Sequence, residues 1–263
     1  MAKKKKAPYI PKTGILGNAT DYNYYKMTAM TKITCFLVGL VVGFGVGYIF
    51  YESILLSLIA GCIVGAICIP VYHKSFLDKR KKNLTLQFRD MLESLSSSIG
   101  AGSNIQDAFQ AAYQDMVVQY TEDGYITKEI AIIISGLQNS IAIENLLMDF
   151  GQRSGIEDIV SFADVFETCY RKGGNIKEVI MSTYHIISDK IEVQLEIKTM
   201  VSSKTSEQNL MLVMPVVLVL MLKSMAGDMI DLNSPTGRMS TTVAMLIFAV
   251  SYFMSKKILD IKV

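Results

Sequence analysis

Residues 33–72 read ITCFLVGLVVGFGVGYIFYESILLSLIAGCIVGAICIPVY, which is two apolar runs separated by three residues. Neither run, 33–50 or 54–72, contains a charged residue, and each is close to the roughly 20 residues that a helix needs to cross a bilayer. The whole chain agrees, because 51% of its 263 residues are hydrophobic and its mean hydropathy is +0.34, which is high for a soluble fold. These runs predict a transmembrane helical hairpin.

Two shorter apolar runs lie near the C-terminus, NLMLVMPVVLVLML at 209–222 and STTVAMLIFAVSYFM at 240–254. They reach the thickness of a bilayer only if flanking residues such as Lys223 snorkel to the interface. They predict a second pair of spans over 209–254. The first apolar run begins some thirty residues into the chain and lacks a small-residue cleavage site, so we do not expect a removed signal peptide.

The positive charges near the four predicted spans are distributed unevenly. Fifteen Lys and Arg residues lie in 1–32, 74–82 and 256–262, whereas Lys223 and Arg238 are the two between spans three and four. The positive-inside rule then predicts that both termini and the middle of the chain are in the cytoplasm, at the cytoplasmic membrane.

The middle of the chain is acidic. Residues 83–208 carry nine Lys plus Arg against eighteen Asp plus Glu, which makes nucleic acid an unsuitable partner. The basic flanks Lys3–Lys6 and Lys79–Lys82 are suited to anionic membrane lipid, or they are simply a topology signal and a solvated tail.

Helical periodicity and helix-breaking residues divide 83–208 into six amphipathic helices. Apolar residues spaced three and four apart mark a first helix from Leu84 to Ile99, and Ser103 or Asn104 can cap the second. Three more helices follow, the last of which opens with Glu157 and Asp158 and ends at Gly173 and Gly174. The sixth continues without a breaker to about Asn209. We therefore predict an all-α integral membrane protein in which four transmembrane helices flank a cytoplasmic six-helix bundle.

Three stretches resemble the type II secretion system F domain family. They are FRDMLESLSSSIGAGSNIQDAF at 88–109, IEDIVSFADVFETCYRKGGNIKEVI at 156–180, and MLVMPVVLVL with Pro215. The order of elements is most similar to the tight-adherence (Tad) pilus branch of that family. The family-pattern positions that the resemblance makes structural are Leu92, Leu95, Ala101, Gly102, Ala108, Phe166, Gly173, Gly174 and Pro215.

The resemblance implies a non-enzymatic inner-membrane platform that couples a cytoplasmic secretion or pilus ATPase to the assembly of pilin-like subunits. This sequence has one Gly-Gly signature, whereas other members carry two copies of the domain, so a homologous F-domain membrane subunit is an expected partner. The candidate partner interface comprises Arg89, Asp90, Glu93, Arg171 and Lys172, although charged residues at helix ends usually serve capping and solubility.

The sequence offers no convergent reactive groups. It has two histidines, His73 and His185, and no GxxxxGK[ST] loop, and its four cysteines lack C-x-x-C spacing. We therefore predict no catalytic residue, no cofactor and no metal. The alternative function is a small-solute transporter or a membrane sensor with a regulatory helical domain, but the first two spans lack the charges that transporters usually place in the membrane.

Glycines recur at four-residue spacing in both N-terminal runs, a pattern that lets helix backbones approach closely. We expect Gly39, Gly43 and Gly47 to pack against Gly61 and Gly65, or to leave one glycine face for another subunit. The predicted organisation is a basic cytoplasmic segment at 1–32, the hairpin at 33–72, the F domain at 73–208, the second span pair at 209–254 and a cytoplasmic tail at 255–263.

Overall fold

The computed structural model describes residues 12–17, 19–25, 27–51 and 53–226, together with scattered positions between 234 and 254. The lysine run near the N-terminus and the predicted tail 255–263 lie outside the described residues, and the predicted fourth span is described only at scattered positions. The described chain forms seven helices: α1 Ala29–Tyr51, α2 Ile54–Gly100, α3 Ile105–Tyr120, α4 Tyr125–Gln138, α5 Ile143–Ser154, α6 Glu157–Arg171 and α7 Ile176–Ala226. The prediction of an all-helical protein is confirmed.

The described residues fall into two compact units. One, which we call the helical unit, comprises described residues of Met1–Lys26 and Lys74–Ile191. The other, the hairpin unit, comprises those of Met27–His73 and Glu192–Val263. The helical unit ends at Ile191, whereas the predicted F domain runs to residue 208, because α7 continues beyond the core as one uninterrupted helix.

In the hairpin unit, α1 and the first part of α2 pack through their glycines. A Cβ added to Gly39 would lie 2.7 Å from the Cα atom of Gly65, and one added to Gly43 would lie 2.9 Å from the Cα atom of Gly61. Gly47 approaches Ser57 in the same way, with 3.0 Å to its Cα atom. The glycines therefore face the partner helix and let the two backbones touch.

Two helices, α1 and α2, are long and apolar enough to cross a membrane. The third apolar run, 209–222, forms the C-terminal part of α7, which includes Pro215. This agrees with the prediction that the sixth helix continues into that run. The arrangement of four spans remains a prediction.

One hydrophobic core fills the helical unit. Phe88 of α2 lies at its centre, with ring centroids 5.5 Å from Phe162 of α6 and 6.1 Å from Phe150 of α5. Four family-pattern residues are almost fully buried in this core, namely Leu92, Leu95, Ala108 and Phe166. The core draws on α2, α3, α4, α5, α6 and the start of α7.

Two glycine turns end the helices that lead into α3 and α7. Gly102 (φ 94°) and Gly173 (φ 68°) are in the left-handed region that favours glycine, beside the family-pattern residues Ala101 and Gly174. The Ser103 amide donates to the Ser98 carbonyl at 3.1 Å, and the Gly174 amide donates to the Cys169 carbonyl at 2.8 Å. These two hydrogen bonds at the helix ends satisfy backbone carbonyls that would otherwise lack partners. Of the two capping candidates for α3, Asn104 is the one whose side chain accepts from the Asp107 amide.

The segment before α1 packs on the helical unit. The sequence predicts a basic cytoplasmic segment over residues 1–32, but Tyr22 is 1% exposed and belongs to the hydrophobic core. Its backbone amide donates to the carbonyl of Arg153 in α5. Residues 21–25, DYNYY, carry the aromatic and amide groups that attach this segment, and a count of positive charge does not reveal them.

Candidate partner interface

Arg89 and Asp90, two of the five predicted interface residues, are tied into a local cluster. The Arg89 guanidinium donates to one oxygen of Asp90 at 2.6 and 2.8 Å. The other Asp90 oxygen accepts from the phenol of Tyr120 and, at 3.4 Å, from the amide of Gln119. Asp90 is 7% exposed, and its carboxylate fastens α2 to the end of α3.

Burial, together with the hydrogen bond to Asp90, raises the pKa of Tyr120 to about 12. The phenol is therefore protonated at neutral pH and acts as a donor. This contribution to folding is complete below pH 10, the ordinary pKa of tyrosine, and is lost as the pH rises through about 12.

We expect Asp90→Asn to lower the free energy of unfolding by about 1–2 kcal/mol, because the substitution removes a charged acceptor from three donors. Thermal unfolding of the purified protein followed by circular dichroism measures this loss. Glu93→Gln is the matched control, since Glu93 lies one turn further along α2 and is exposed. Equal behaviour of the two variants would mean that the Asp90 cluster is not structural.

The other three predicted interface residues are accessible. Glu93 is exposed on α2, and Lys172 is exposed at the end of α6. Arg171 keeps 60% of its side chain exposed while pairing with Glu167 at 3.1 Å and with Glu144 at 3.7 Å. These charges are available to a partner.

A groove opens beside Arg171 and Lys172, where α2, α4 and α6 end and α3, α5 and α7 begin. Its volume is about 950 Å³. The apolar part of the lining includes Ile99, Ile105, Leu137, Ile141, Ile143 and Ile176. Glu144 and Lys177 also line it, and one Glu144 carboxylate oxygen, Oε2, is buried without a hydrogen-bond partner among the residues that the structure describes.

The predicted interface residues do not form one patch. Ile99 lines the groove, and Arg89 precedes it by ten residues on α2, which is about 15 Å along a helix. Arg171 and Lys172 instead directly precede the Gly-Gly turn whose Gly174 lines the groove. Arg171 and Lys172 therefore lie next to the groove, whereas Arg89 lies away from it.

A buried ionic network, which was not predicted from the sequence, lies elsewhere in the helical unit. Arg153 of α5 donates to both oxygens of Glu129 of α4, at 2.6 and 2.9 Å, and both side chains are 1% exposed. Arg153 also donates to Asp149 at 2.7 Å. The phenol of Tyr22 donates to Glu129 at 2.9 Å and completes the network.

Protonation states in this network follow from its geometry. Burial raises the pKa of Tyr22 well above its ordinary value, and the charge and hydrogen bond of Glu129 raise it further. Burial by itself lowers the pKa of Arg153, but the hydrogen bonds and charges of Glu129 and Asp149 outweigh it and raise that pKa. At neutral pH the Tyr22 phenol is therefore protonated and the Arg153 guanidinium is charged.

The sequence does contain a signal for this network. Glu129 falls three residues after Ile126 and four before Ile133, within the apolar stripe of α4. Arg153 likewise follows Leu146 and Phe150 at helical spacing on α5. Two opposite charges inside apolar stripes predict a buried pair, since an isolated buried charge is costly.

Comparison with known proteins identifies the family. Residues 91–222 match the family described as type II secretion system (T2SS), protein F, which is half of the chain. The chain belongs to the type II secretion system protein F family. No curated protein and no solved structure matches the chain.

The match of the protein F family runs from Met91 in α2 to Leu222 in α7. It includes Glu93, Arg171 and Lys172 and the whole groove, whereas Arg89, Asp90, α1 and Tyr22 precede it. Protein F members are non-enzymatic platform proteins in the membrane of secretion and pilus-assembly machinery, and the family implies partnership with a secretion ATPase and with pilins. The chain is therefore a platform protein of the inner membrane.

Proposed function

We propose that this protein is the platform of a tight-adherence type pilus machine, where it couples a cytoplasmic ATPase to the assembly of pilin-like subunits. The observation that carries the proposal is the position of the family match. It covers the helices that follow a glycine-packed hairpin of two candidate spans and extends into the apolar end of α7. This order of elements resembles that of the tight-adherence branch.

The proposed topology has four spans, with both termini and the helical unit in the cytoplasm. The excess of Lys and Arg in 1–32, 74–82 and 256–262 supports it. The apolar run of α7 supports a third span, because its side chains Leu210, Met211, Val213 and Met214 are all exposed. Exposed apolar side chains in such a run are suited to lipid or to neighbouring helices.

We place the ATPase contact at the groove end of the helical unit, with Arg171 and Lys172 at its rim and Glu93 further along α2. The groove supplies an apolar surface, and the exposed Lys177 side chain supplies a polar group. An apolar centre with a charged rim is the usual composition of a specific protein interface.

An affinity pull-down of the tagged protein from gently solubilised native membranes tests the proposal. We expect mass spectrometry to identify a hexameric secretion ATPase and a second F-domain membrane protein, since this chain has one copy of the domain. Recovery of neither from cells that express the machine would contradict the proposal. A transporter or sensor would instead show ligand-dependent behaviour in the isolated protein.

We expect Lys172→Glu to reduce recovery of the ATPase by at least about tenfold, because like charges across an interface cost several kcal/mol. Lys172 is exposed at a helix end, so the fold should be unaffected. Lys128→Glu is the matched control, with the same change of charge at another exposed site of the helical unit. Equal losses in both variants would indicate a general effect of charge and would remove Lys172 from the interface.

A further inference from the structure

The described residues of 12–25, which we call the strap, form a folded loop on the helical unit. The Ala19 amide donates to the Thr13 carbonyl at 3.0 Å, and Asp21 accepts from the backbone amides of Lys12 at 2.9 Å and Asn23 at 2.8 Å. These bonds close the loop on itself, so the strap has a defined shape of its own.

The strap binds α4 and α5 through the buried ionic network. The Tyr22 phenol donates to Glu129, and the Tyr22 backbone amide donates to the carbonyl of Arg153 at 3.1 Å. In return the Arg153 guanidinium donates to the carbonyl of Thr20 at 3.0 Å. The strap thus covers a buried ion pair and takes part in its hydrogen bonding.

The same strap also binds α2. The Lys81 amino group donates to the Asn23 side chain at 2.6 Å and to the Gly155 carbonyl at 3.1 Å. The Arg80 guanidinium lies 4.7 Å from the centre of the Tyr22 ring, and Tyr25 stacks on Phe76 with 4.1 Å between ring centroids. The strap therefore joins α2 to α4 and α5.

We propose that the strap is a releasable clasp that covers the buried Glu129–Arg153 pair and adds a polar bridge from α2 to α4 and α5. Its attachment to the helices is mainly polar, and Tyr22 is the hydrophobic side chain of the described strap that belongs to the core. A segment with few buried apolar contacts opens at lower free energy than the core to which it is attached. Release lets water reach the Glu129–Arg153 pair and removes the bonds that the strap makes between α2 and the pair α4 and α5, while the hydrophobic core still packs these helices together.

The strap directly precedes the first helix in the chain, because α1 begins at Ala29, four positions after Tyr25. Release of the strap is thus a conformational step available to the chain, and it does not depend on which filament the protein serves.

Hydrogen exchange of the full-length protein in lipid nanodiscs, followed by mass spectrometry, tests the clasp. In the unaltered chain we expect the strap amides to be protected, but to exchange faster than the amides of α3 and α6. Tyr22→Phe should accelerate exchange of the strap by roughly tenfold or more, the effect of losing a hydrogen bond to a charged group. Exchange in α4 and α5 should rise with it, while α3 and α6 stay unchanged.

Ile15→Ala is the matched control, because Ile15 lies in the strap with 52% of its surface exposed and should change exchange little. Asn23→Ala is a second way to loosen the strap and leaves the Tyr22 ring in the core. Three results would overturn the clasp: a strap unprotected in the unaltered chain, a strap that loosens without affecting α4 and α5, or α3 and α6 opening together with it. The last would make the strap an inseparable part of the core.

Discussion

Replacing Arg153 with methionine should lower the free energy of unfolding by about 3–5 kcal/mol, because Glu129 would be left charged and buried without its partner. Glu129 would retain the Tyr22 phenol, but one neutral donor does not replace two guanidinium bonds. Thermal unfolding followed by circular dichroism should show a decrease in the midpoint on the order of 10 °C.

The double variant Glu129→Leu with Arg153→Met distinguishes two causes of this loss of stability. One is the loss of a favourable ion pair, and the other is the cost of leaving a buried charge without a partner. Replacing both members of a buried pair by apolar residues of similar volume is often neutral or stabilising. We therefore expect the double variant to recover most of the lost stability, since Tyr22 can still donate to the Tyr125 carbonyl at 3.3 Å.

Lys128→Ala, beside Glu129 on an exposed side of α4, is the control and should change stability by less than about 0.5 kcal/mol. A single variant as stable as the control would contradict the buried pair.

Features that depend on neighbouring residues were predictable from the sequence. Gly102 and Gly173 mark helix ends because a left-handed turn favours glycine, and Asn104 caps α3 because its side chain reaches the free amide of Asp107. The apolar spacing of Leu84, Phe88, Met91 and Leu95 gave the buried face of α2, since a helix repeats every 3.6 residues. In each case the local chain carries the whole physical cause.

Features that depend on tertiary proximity were not predictable in the same way. Asp90 looks like a surface charge in the sequence, and it becomes buried only because Tyr120, thirty residues away, is brought beside it. The strap is a stronger example, since Tyr22 meets Glu129 more than one hundred residues later. A count of charges classifies residues 1–32 as basic. It does not reveal that a short polar and aromatic stretch within them packs on the helical unit.

The hairpin unit allows a prediction with an internal control. Gly43→Leu should force α1 and α2 apart, because even its Cβ would lie 2.9 Å from both the Cα atom of Gly61 and the Cβ atom of Val64. Overpacking of this kind costs about 1–3 kcal/mol, and here the obstruction includes backbone, which cannot rotate away. Leucine is otherwise favourable in a helix and in lipid, so the cost arises from the helix contact.

Cys35 reports on this contact, because it is buried on α1. In a chain whose other three cysteines are replaced by alanine, we expect Gly43→Leu to accelerate the reaction of Cys35 with a maleimide in nanodiscs by roughly tenfold or more, the factor that corresponds to 1.4 kcal/mol. Gly45→Leu makes the same chemical change two residues away, where an added Cβ meets no atom within 4 Å. In the Gly45→Leu variant, Cys35 should react at the rate of the unaltered chain.

If both substitutions accelerate the reaction equally, the four-residue glycine spacing does not hold the hairpin together, and general disturbance of α1 explains the effect. If Gly43→Leu alone does so, close approach of the two backbones is what positions α1 against α2.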